Sequence, residues 1–107
     1  MQITIEQALR QLKDSKKLFL EFFKHGTLSI EVYKPIKKDL QKPHDKDEIY
    51  VVISGNGDFI SDGKTYKFQA GDFLFVPAGI EHYFENFSDN FTTWAIFYGP
   101  IGGENNK

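Results

Sequence analysis

The chain has 107 residues and a formal net charge of −2, which fits one compact domain and leaves no room for a second independent core. Apolar residues make up 40% of the chain and aromatic residues 16%, and the near-balanced charge excludes a basic surface for nucleic acid or an anionic membrane. No cysteine is present, so disulfides, thiolate metal sites and a cysteine nucleophile are excluded. No leader pattern and no membrane span are visible, and the default prediction is a cytoplasmic protein.

The N-terminal residues 1–16 carry the only helical pattern of the chain. Thr4 and Gln7 have the spacing of a capping box, and apolar residues follow at i, i+3, i+4 and i+7. This pattern predicts a helix from Thr4 to Asp14 that packs on the remainder of the domain.

From residue 17 the chain changes to short runs of β-forming residues separated by turn residues. The runs predict eight strands, at Leu18–Phe23, Thr27–Lys34, Glu48–Ser54, Asp58–Ser61, Thr65–Gln69, Phe73–Val76, Ile80–Phe87 and Phe91–Tyr98. Their regular spacing indicates an all-β fold, a β-barrel or jelly roll over residues 17–99, because closure of the sheet removes exposed edges. The remaining residues 100–107 are predicted to form a flexible tail.

Two histidines and one glutamate stand out as candidate metal ligands. Glu48 opens a strongly apolar strand, where an ionised carboxylate is costly to bury unless a cation or several donors meet it. His44 lies four residues before Glu48, and His82 lies at the head of another apolar strand. Two imidazoles and one carboxylate near strand ends suit one divalent ion, with Fe, Mn, Ni and Zn all compatible.

The residues around these three positions resemble the two motifs of the cupin family. The first motif is a histidine, three or four residues, a glutamate, six residues and a glycine, and it matches His44, Glu48 and Gly55. The second motif matches Gly71, Pro77-Ala78-Gly79, His82 and Asn86 at the family spacing. The resemblance extends from about Thr27 to Tyr98 and is strongest to small stand-alone bacterial cupins. It implies a cupin-type barrel, a metal held by His44, Glu48 and His82, and a homodimer.

One position departs from the cupin pattern. Cupins with four protein ligands have a second histidine two residues before the one at His44, and this chain has Lys42 there. A protonated lysine cannot ligate a metal, so we expect three protein ligands and open coordination positions. Gln41 could lend an amide oxygen instead.

Each candidate residue also has a simpler interpretation. His44 could be a solvated loop residue, Glu48 could pair with Lys42 or Lys46, and His82 could bond only to a backbone carbonyl. Lys42 could anchor an anionic substrate or could simply be solvated.

The walls of the pocket follow from period-2 alternation. If Glu48 points inward, Tyr50 and Val52 do so as well, and an inward His82 is accompanied by Phe84. Pocket residues are therefore predicted to include Lys42, Tyr50, Phe84 and Trp94, and most of the other phenylalanines, including Phe59, Phe68, Phe73, Phe75 and Phe97, are assigned to the core.

Three functions remain open from the sequence. The first is a metal-dependent enzyme, either dioxygenase-like or an isomerase or lyase, that acts on a small organic molecule such as an organic acid. The second is a non-catalytic cupin that binds a sugar or organic acid, and the third is an intact barrel without metal. The substrate, the reaction and the native metal cannot be read from the sequence.

Overall fold

The structure, a computed structural model, describes residues 1–39 and 41–105. One helix precedes eight strands, and their bounds are α1 (Ile5–Ser15), β1 (Phe19–His25), β2 (Leu28–Tyr33), β3 (Asp47–Ser54), β4 (Asn56–Ser61), β5 (Lys64–Gln69), β6 (Phe73–Val76), β7 (His82–Glu85) and β8 (Thr92–Tyr98). The predicted fold class, all-β with one short N-terminal helix, is confirmed. No described helix has the length and apolar character needed to cross a bilayer.

Helix α1 begins at the predicted cap. The Thr4 hydroxyl accepts a hydrogen bond from the Gln7 backbone N–H at 3.1 Å, which satisfies one donor of the first turn. The helix ends at Ser15, one residue beyond the prediction, and Lys16 follows in the left-handed conformation with φ 59°. The turn at Lys16 directs the chain into β1.

The strands form two antiparallel sheets. The larger has the order β1-β2-β8-β3-β6 and the smaller the order β5-β4-β7, and the two remain separate hydrogen-bonded units rather than one closed ring. The predicted hairpin is present, with Ser61 paired to Lys64 across Asp62 and Gly63. Both turn residues have positive φ, 52° and 78°, as a two-residue turn between twisted strands requires.

The main core lies between the sheets and is rich in aromatic rings. Phe84 is at its centre, with ring centroids 5.0 Å from Phe59, 4.9 Å from Tyr50 and 4.7 Å from Phe91. All four side chains are at most 2% exposed. These closely packed rings form a rigid aromatic core between the two sheets.

Two phenylalanines assigned to the core from sequence are in fact exposed. Phe73 is 62% exposed and Phe75 is 45% exposed. The assignment was wrong because β6 is an edge strand, and its alternation turns Leu74 and Val76 toward the core and the two phenylalanines away from it.

A second, smaller cluster lies on the outer face of the five-stranded sheet. Ala8 and Leu12 of α1 pack against Val32, and Trp94 is among the partly buried residues around them. The prediction that Trp94 lines the pocket is wrong, because Trp94 packs on the face of the sheet that α1 covers. Trp94 pairs with Val51 while its neighbour Ala95 pairs with Tyr50, so Trp94 and Tyr50 occupy opposite faces of the sheet.

The segment after β8 is bound to the loop before β3. The Gly102 N–H donates to the Asp45 carbonyl at 2.7 Å, and the Glu104 N–H donates to the buried Asp47 carboxylate at 2.9 Å. The tail predicted to be flexible therefore has defined contacts as far as Glu104. The last two residues of the tail lie outside the described part of the chain.

Candidate metal centre

His44, Glu48 and His82 converge at one end of the sheet sandwich. The Glu48 Oε1 atom lies 3.6 Å from His44 Nε2 and 3.3 Å from His82 Nε2, and one ligand atom from each residue falls within 4.8 Å of the others. Glu48 is the second residue of β3, His82 is the first of β7, and His44 lies in the loop before β3. The fold thus places the three predicted ligands around one point.

The backbone joins the two sequence motifs that carry these residues. The Gly79 N–H donates to the His44 carbonyl at 2.7 Å, and the Ala78 N–H donates to Asp47 Oδ1 at 2.9 Å. Gly79 has φ 80°, a conformation that favours glycine. The turn before β7 therefore holds the loop that bears His44 against the start of β3.

Glu48 points into the core rather than toward solvent. Its side chain is 2% exposed, and it pairs with Val76 on one side and Phe97 on the other. Among the residues that the structure describes, the only basic groups within ion-pair distance of Glu48 are the two imidazoles. The pairing with Lys42 or Lys46 that the sequence allowed is therefore not formed.

The His82 ring is oriented by a hydrogen bond from its Nδ1 atom. Nδ1 lies 2.9 Å from the Ile80 carbonyl, so Nδ1–H donates there and Nε2 is directed at Glu48. Burial lowers the pKa of His82, but the adjacent Glu48 carboxylate and the Ile80 carbonyl favour the charged imidazolium more strongly and raise the pKa above its usual value. A cation bound between Nε2 and the carboxylate would therefore have to displace a proton from this space.

The geometry fits a divalent ion. Glu48 Oε1 and His82 Nε2 are both buried and neither has a hydrogen-bond partner. Two ligands bound at ~2.1 Å to one metal are separated by about 3.0 Å in octahedral and about 3.4 Å in tetrahedral geometry. The Glu48–His82 spacing of 3.3 Å falls in this range and the His44–Glu48 spacing of 3.6 Å lies just above it. The two unpartnered atoms are of the types that Fe, Mn, Ni and Zn bind.

A cavity of about 660 Å³ opens onto His44. This volume lies within the range of small-molecule sites. Its apolar wall includes Leu18, Phe19, Ala95 and Phe97. The candidate metal centre therefore borders, through His44, a cavity large enough for a small organic molecule.

Charged groups surround the cavity unevenly. Lys16, Lys17 and Lys38 line it together with a single carboxylate, that of Glu31. Burial, the charge of Glu21 and the charge of Glu48 together raise the pKa of Glu31 to about 7. The cavity therefore has an excess of positive charge at neutral pH.

Comparison with known proteins decides the family. The family model described as a cupin domain matches residues 29–97, which is more than half of the chain. The chain belongs to the cupin family.

Relatives of this cupin are similar over most of its length. An uncharacterized protein of Streptomyces coelicolor is 31% identical over 84 residues, covering 77% of this chain and 80% of its own. The crystal structure of protein NMB1881 from Neisseria meningitidis has a TM-score of 0.72 at 17% identity, covering 92% of this chain and all of its own. A cupin 2 conserved barrel domain protein from Salinispora arenicola has a TM-score of 0.64 at 20% identity, covering 76% of this chain and 74% of its own. The two structural likenesses support the fold alone.

The pocket residues predicted for this cupin occupy different places. Tyr50 and Phe84 are buried in the aromatic core behind His82, and the ring centroids of Tyr50 and His82 are 6.1 Å apart. Lys42 is exposed and is absent from the cavity lining, and Trp94 is on the opposite face of the sheet. The lysines that line the cavity come instead from the turn after α1 and from the loop after β2.

Three polar residues near the centre were not singled out from sequence. Glu31 and Tyr33 lie on the inner face of β2 and line the cavity, and Asp39 accepts a hydrogen bond from Tyr33. Their signal was present as the alternation of β2, in which Ser29, Glu31 and Tyr33 share one face. The apolar face of β2 packs toward α1, so the polar face is the one that looks into the cavity.

Proposed function

We propose that this cupin binds one divalent metal through His44, Glu48 and His82 and is a metal-dependent enzyme for a small organic acid. The observation that carries the proposal is the buried pair formed by Glu48 Oε1 and His82 Nε2, 3.3 Å apart and without hydrogen-bond partners. Leaving both atoms unsatisfied costs free energy, which either a proton on His82 Nε2 or a metal cation between the two atoms would relieve, and the adjacent His44 ring supplies a third ligand for the metal.

The three proposed ligands differ in their exposure to solvent. Glu48 and His82 are almost completely buried, whereas the His44 side chain is 33% exposed and borders the cavity. A ligand in the cavity would therefore approach the metal from the His44 side. When bound, the ion would supply Lewis acidity or, if it is iron, a place for dioxygen. The apolar wall would limit the access of water to the reacting molecule.

The class of substrate follows from the lining of the cavity. Three lysines against one glutamate favour a negatively charged group, and the aromatic and aliphatic wall favours an apolar body. A small carboxylic acid has both features. Dioxygenase-like and isomerase or lyase reactions remain the two candidate chemistries.

Elemental analysis of purified protein tests the metal assignment. Protein prepared without chelators, or reconstituted with Fe, Mn, Ni or Zn, should contain close to one metal per chain. Replacement of His82 by Ala should abolish binding, because it removes the buried nitrogen ligand. His25→Ala is the matched control, since His25 is an exposed residue at the end of β1. Full metal content in His82→Ala would show that the ligand assignment is wrong.

A non-catalytic binding protein is the second candidate. The cavity offers lysines and an apolar wall that could hold a sugar or organic acid without a metal. A thermal-shift screen in the presence of a chelator distinguishes the two, because only the binding protein should be stabilised by ligand under those conditions. A metal-free barrel, the third possibility, would show neither metal nor ligand binding.

We further propose a homodimer. The exposed aromatic rings of Phe73 and Phe75 on the edge strand β6 support this assignment, since exposed apolar groups on one face favour association. The cytoplasmic location stays a prediction.

A further inference from the structure

Gln41 lies beside the metal centre although no family motif includes it. Its side-chain oxygen Oε1 is 3.1 Å from His44 Nε2 and accepts a hydrogen bond from the Tyr50 hydroxyl at 3.0 Å. Gln41 also lines the cavity. The amide oxygen has two lone pairs, so the bond from Tyr50 leaves one available on the side of His44.

The orientation of the Gln41 amide is fixed by Asp39. The amide nitrogen Nε2 donates to Asp39 Oδ2 at 2.6 Å, which places Oε1 on the opposite side, toward His44 and Tyr50. Asp39 is itself held by the Tyr33 hydroxyl and by the Phe84 backbone N–H, the latter at 2.8 Å. Because Phe84 is in β7, two residues after His82, the network joins the loop of Gln41 to the strand of a metal ligand.

We propose that Gln41 supplies its amide oxygen as a fourth protein ligand to the cation held by His44, Glu48 and His82, and that Asp39 is a positioning residue for that amide. The inference rests on the proposed metal site and deepens it. The distance of 3.1 Å between Gln41 Oε1 and His44 Nε2 lies within the range of about 3.0 to 3.4 Å expected between two ligand atoms bound to one metal.

Lys42 occupies the position at which cupins with four protein ligands have a histidine, so a ligand from Gln41 would change the chemistry of the metal site. Lys42 is exposed, whereas its neighbour Gln41 turns toward the centre. A neutral amide oxygen in place of an imidazole makes the ligand set harder, which favours cations that accept oxygen ligands, such as Mn(II) and Fe(II). It also leaves fewer open positions for a substrate than three protein ligands would.

The simpler role for Gln41 is that of a hydrogen-bond acceptor from a protonated His44 Nε2. In that role Gln41 would compete with a metal, because His44 must lose this proton to ligate. Removal of the amide would then leave metal binding unchanged or make it tighter. The two roles therefore predict opposite effects of the same substitution.

Titration with Co(II), followed by its visible d–d absorption, provides the test. Gln41→Leu removes the oxygen at similar side-chain size, and Gln41→Asn keeps an amide but shortens its reach. The matched control is Gln69→Leu, an exposed glutamine on β5. Circular dichroism establishes that each variant is folded before titration.

We expect the wild type to bind one Co(II) per chain. Gln41→Leu and Gln41→Asn should bind about tenfold more weakly, with a d–d spectrum altered by the loss of one ligand. Asp39→Asn should weaken binding in the wild type but have no further effect in Gln41→Leu, since Asp39 acts through Gln41.

Equal affinity and an unchanged spectrum in folded Gln41→Leu and Gln41→Asn would overturn the inference, as would tighter binding. If the wild type itself fails to bind Co(II), the metal site of the proposed function fails instead. The two failures are therefore distinguished by the wild-type titration.

Discussion

Glu31 has an unusual electrostatic environment for a residue on a β-strand. It lies on the inner face of β2, lines the cavity and is directly opposite Glu21 of β1. Burial and the neighbouring carboxylates disfavour its charged form, so the folded protein holds a proton on Glu31 up to a pKa of about 7. The unfolded chain releases that proton near pH 4.5.

This difference makes stability depend on pH with a defined sign. Between pH 4.5 and 7 the folded state binds more protons than the unfolded state, so the free energy of unfolding falls as the pH rises through this range. Below the unfolded pKa, Glu31 makes no such contribution.

We therefore expect Glu31→Gln in metal-free protein to raise the free energy of unfolding at pH 8 by about 1 kcal/mol, allowing for solvent screening of a half-buried group. At pH 4.5 the effect should vanish, because the wild-type residue is then protonated. Urea unfolding at both pH values measures it. Glu85→Gln, at an exposed position of β7, should change little at either pH, and an equal effect of Glu31→Gln at both pH values would contradict the explanation.

The lysines of the cavity make a second prediction at this scale. Replacing both Lys17 and Lys38 by Met should weaken the binding of benzoate about tenfold, equivalent to ~1.4 kcal/mol from two partly exposed charge contacts. Binding of benzyl alcohol, which has a similar body without the charge, should be unaffected. Isothermal titration measures both ligands.

Lys67 provides the control for the cavity lysines. It is an exposed lysine that pairs with Asp58 on the smaller sheet, 3.3 Å away. Lys67→Met should leave the affinity for benzoate unchanged. A loss of affinity for benzyl alcohol in the double variant would point to damaged packing rather than lost charge.

At the scale of elements, helix α1 matters through its packing. Leu12 is 4% exposed and lies in the cluster with Ala8 and Val32, near Trp94. Leu12→Ala should lower the free energy of unfolding by about 2–4 kcal/mol because it leaves a cavity. Unfolding followed by the fluorescence of Trp94, the single tryptophan, measures the change.

The metal centre provides an internal check on that experiment. Leu12 is on the outer face of the five-stranded sheet, away from the metal ligands, so folded Leu12→Ala should keep the metal content of the wild type. Gln11→Ala, at an exposed position of the same helix, should change stability by no more than about 0.5 kcal/mol. Loss of metal from Leu12→Ala would show that the two faces are coupled.

Local sequence patterns predicted the elements well because each depends on neighbouring residues. The capping pair Thr4 and Gln7 placed the start of α1, and Asp62-Gly63 placed the hairpin between β4 and β5. Alternation also gave the inward direction of Tyr50 and Phe84 once Glu48 and His82 were taken as inward.

The packing of the elements could not be predicted from local patterns, because it depends on which element covers each face of a sheet. The alternation of residues along β2 indicates that Glu31 and Tyr33 share a face, but it does not indicate that this face borders the cavity. Phe75 and Trp94 were misplaced for the same reason, since position at a sheet edge and the docking of α1 are not local properties. The role of Asp39 depends on contacts to residues as distant as Phe84.

At the scale of the whole molecule, the exposed rings of β6 bear on assembly. A homodimer through this face should elute with about twice the chain mass of 12.4 kDa in size-exclusion chromatography with light scattering. Phe75→Glu should shift the protein to the monomer, because burying the new charge is unfavourable.

Tyr66→Glu is the matched control for the dimer. Tyr66 is 48% exposed, similar to Phe75, but lies on the smaller sheet. This variant should keep the mass of the wild type. A wild-type mass of one chain would remove the dimer from the proposal, and a dimer in Phe75→Glu would place the interface elsewhere.

The turn at Lys16 has a consequence for how such a protein could acquire new specificities. Residues 16–19 leave the helix, border the cavity and contribute none of the proposed metal ligands. Substitutions in this short segment are therefore expected to change which molecule enters the cavity without altering the proposed metal ligands. A library randomised over these four consecutive positions is expected to vary ligand selectivity while the proposed metal ligands stay constant.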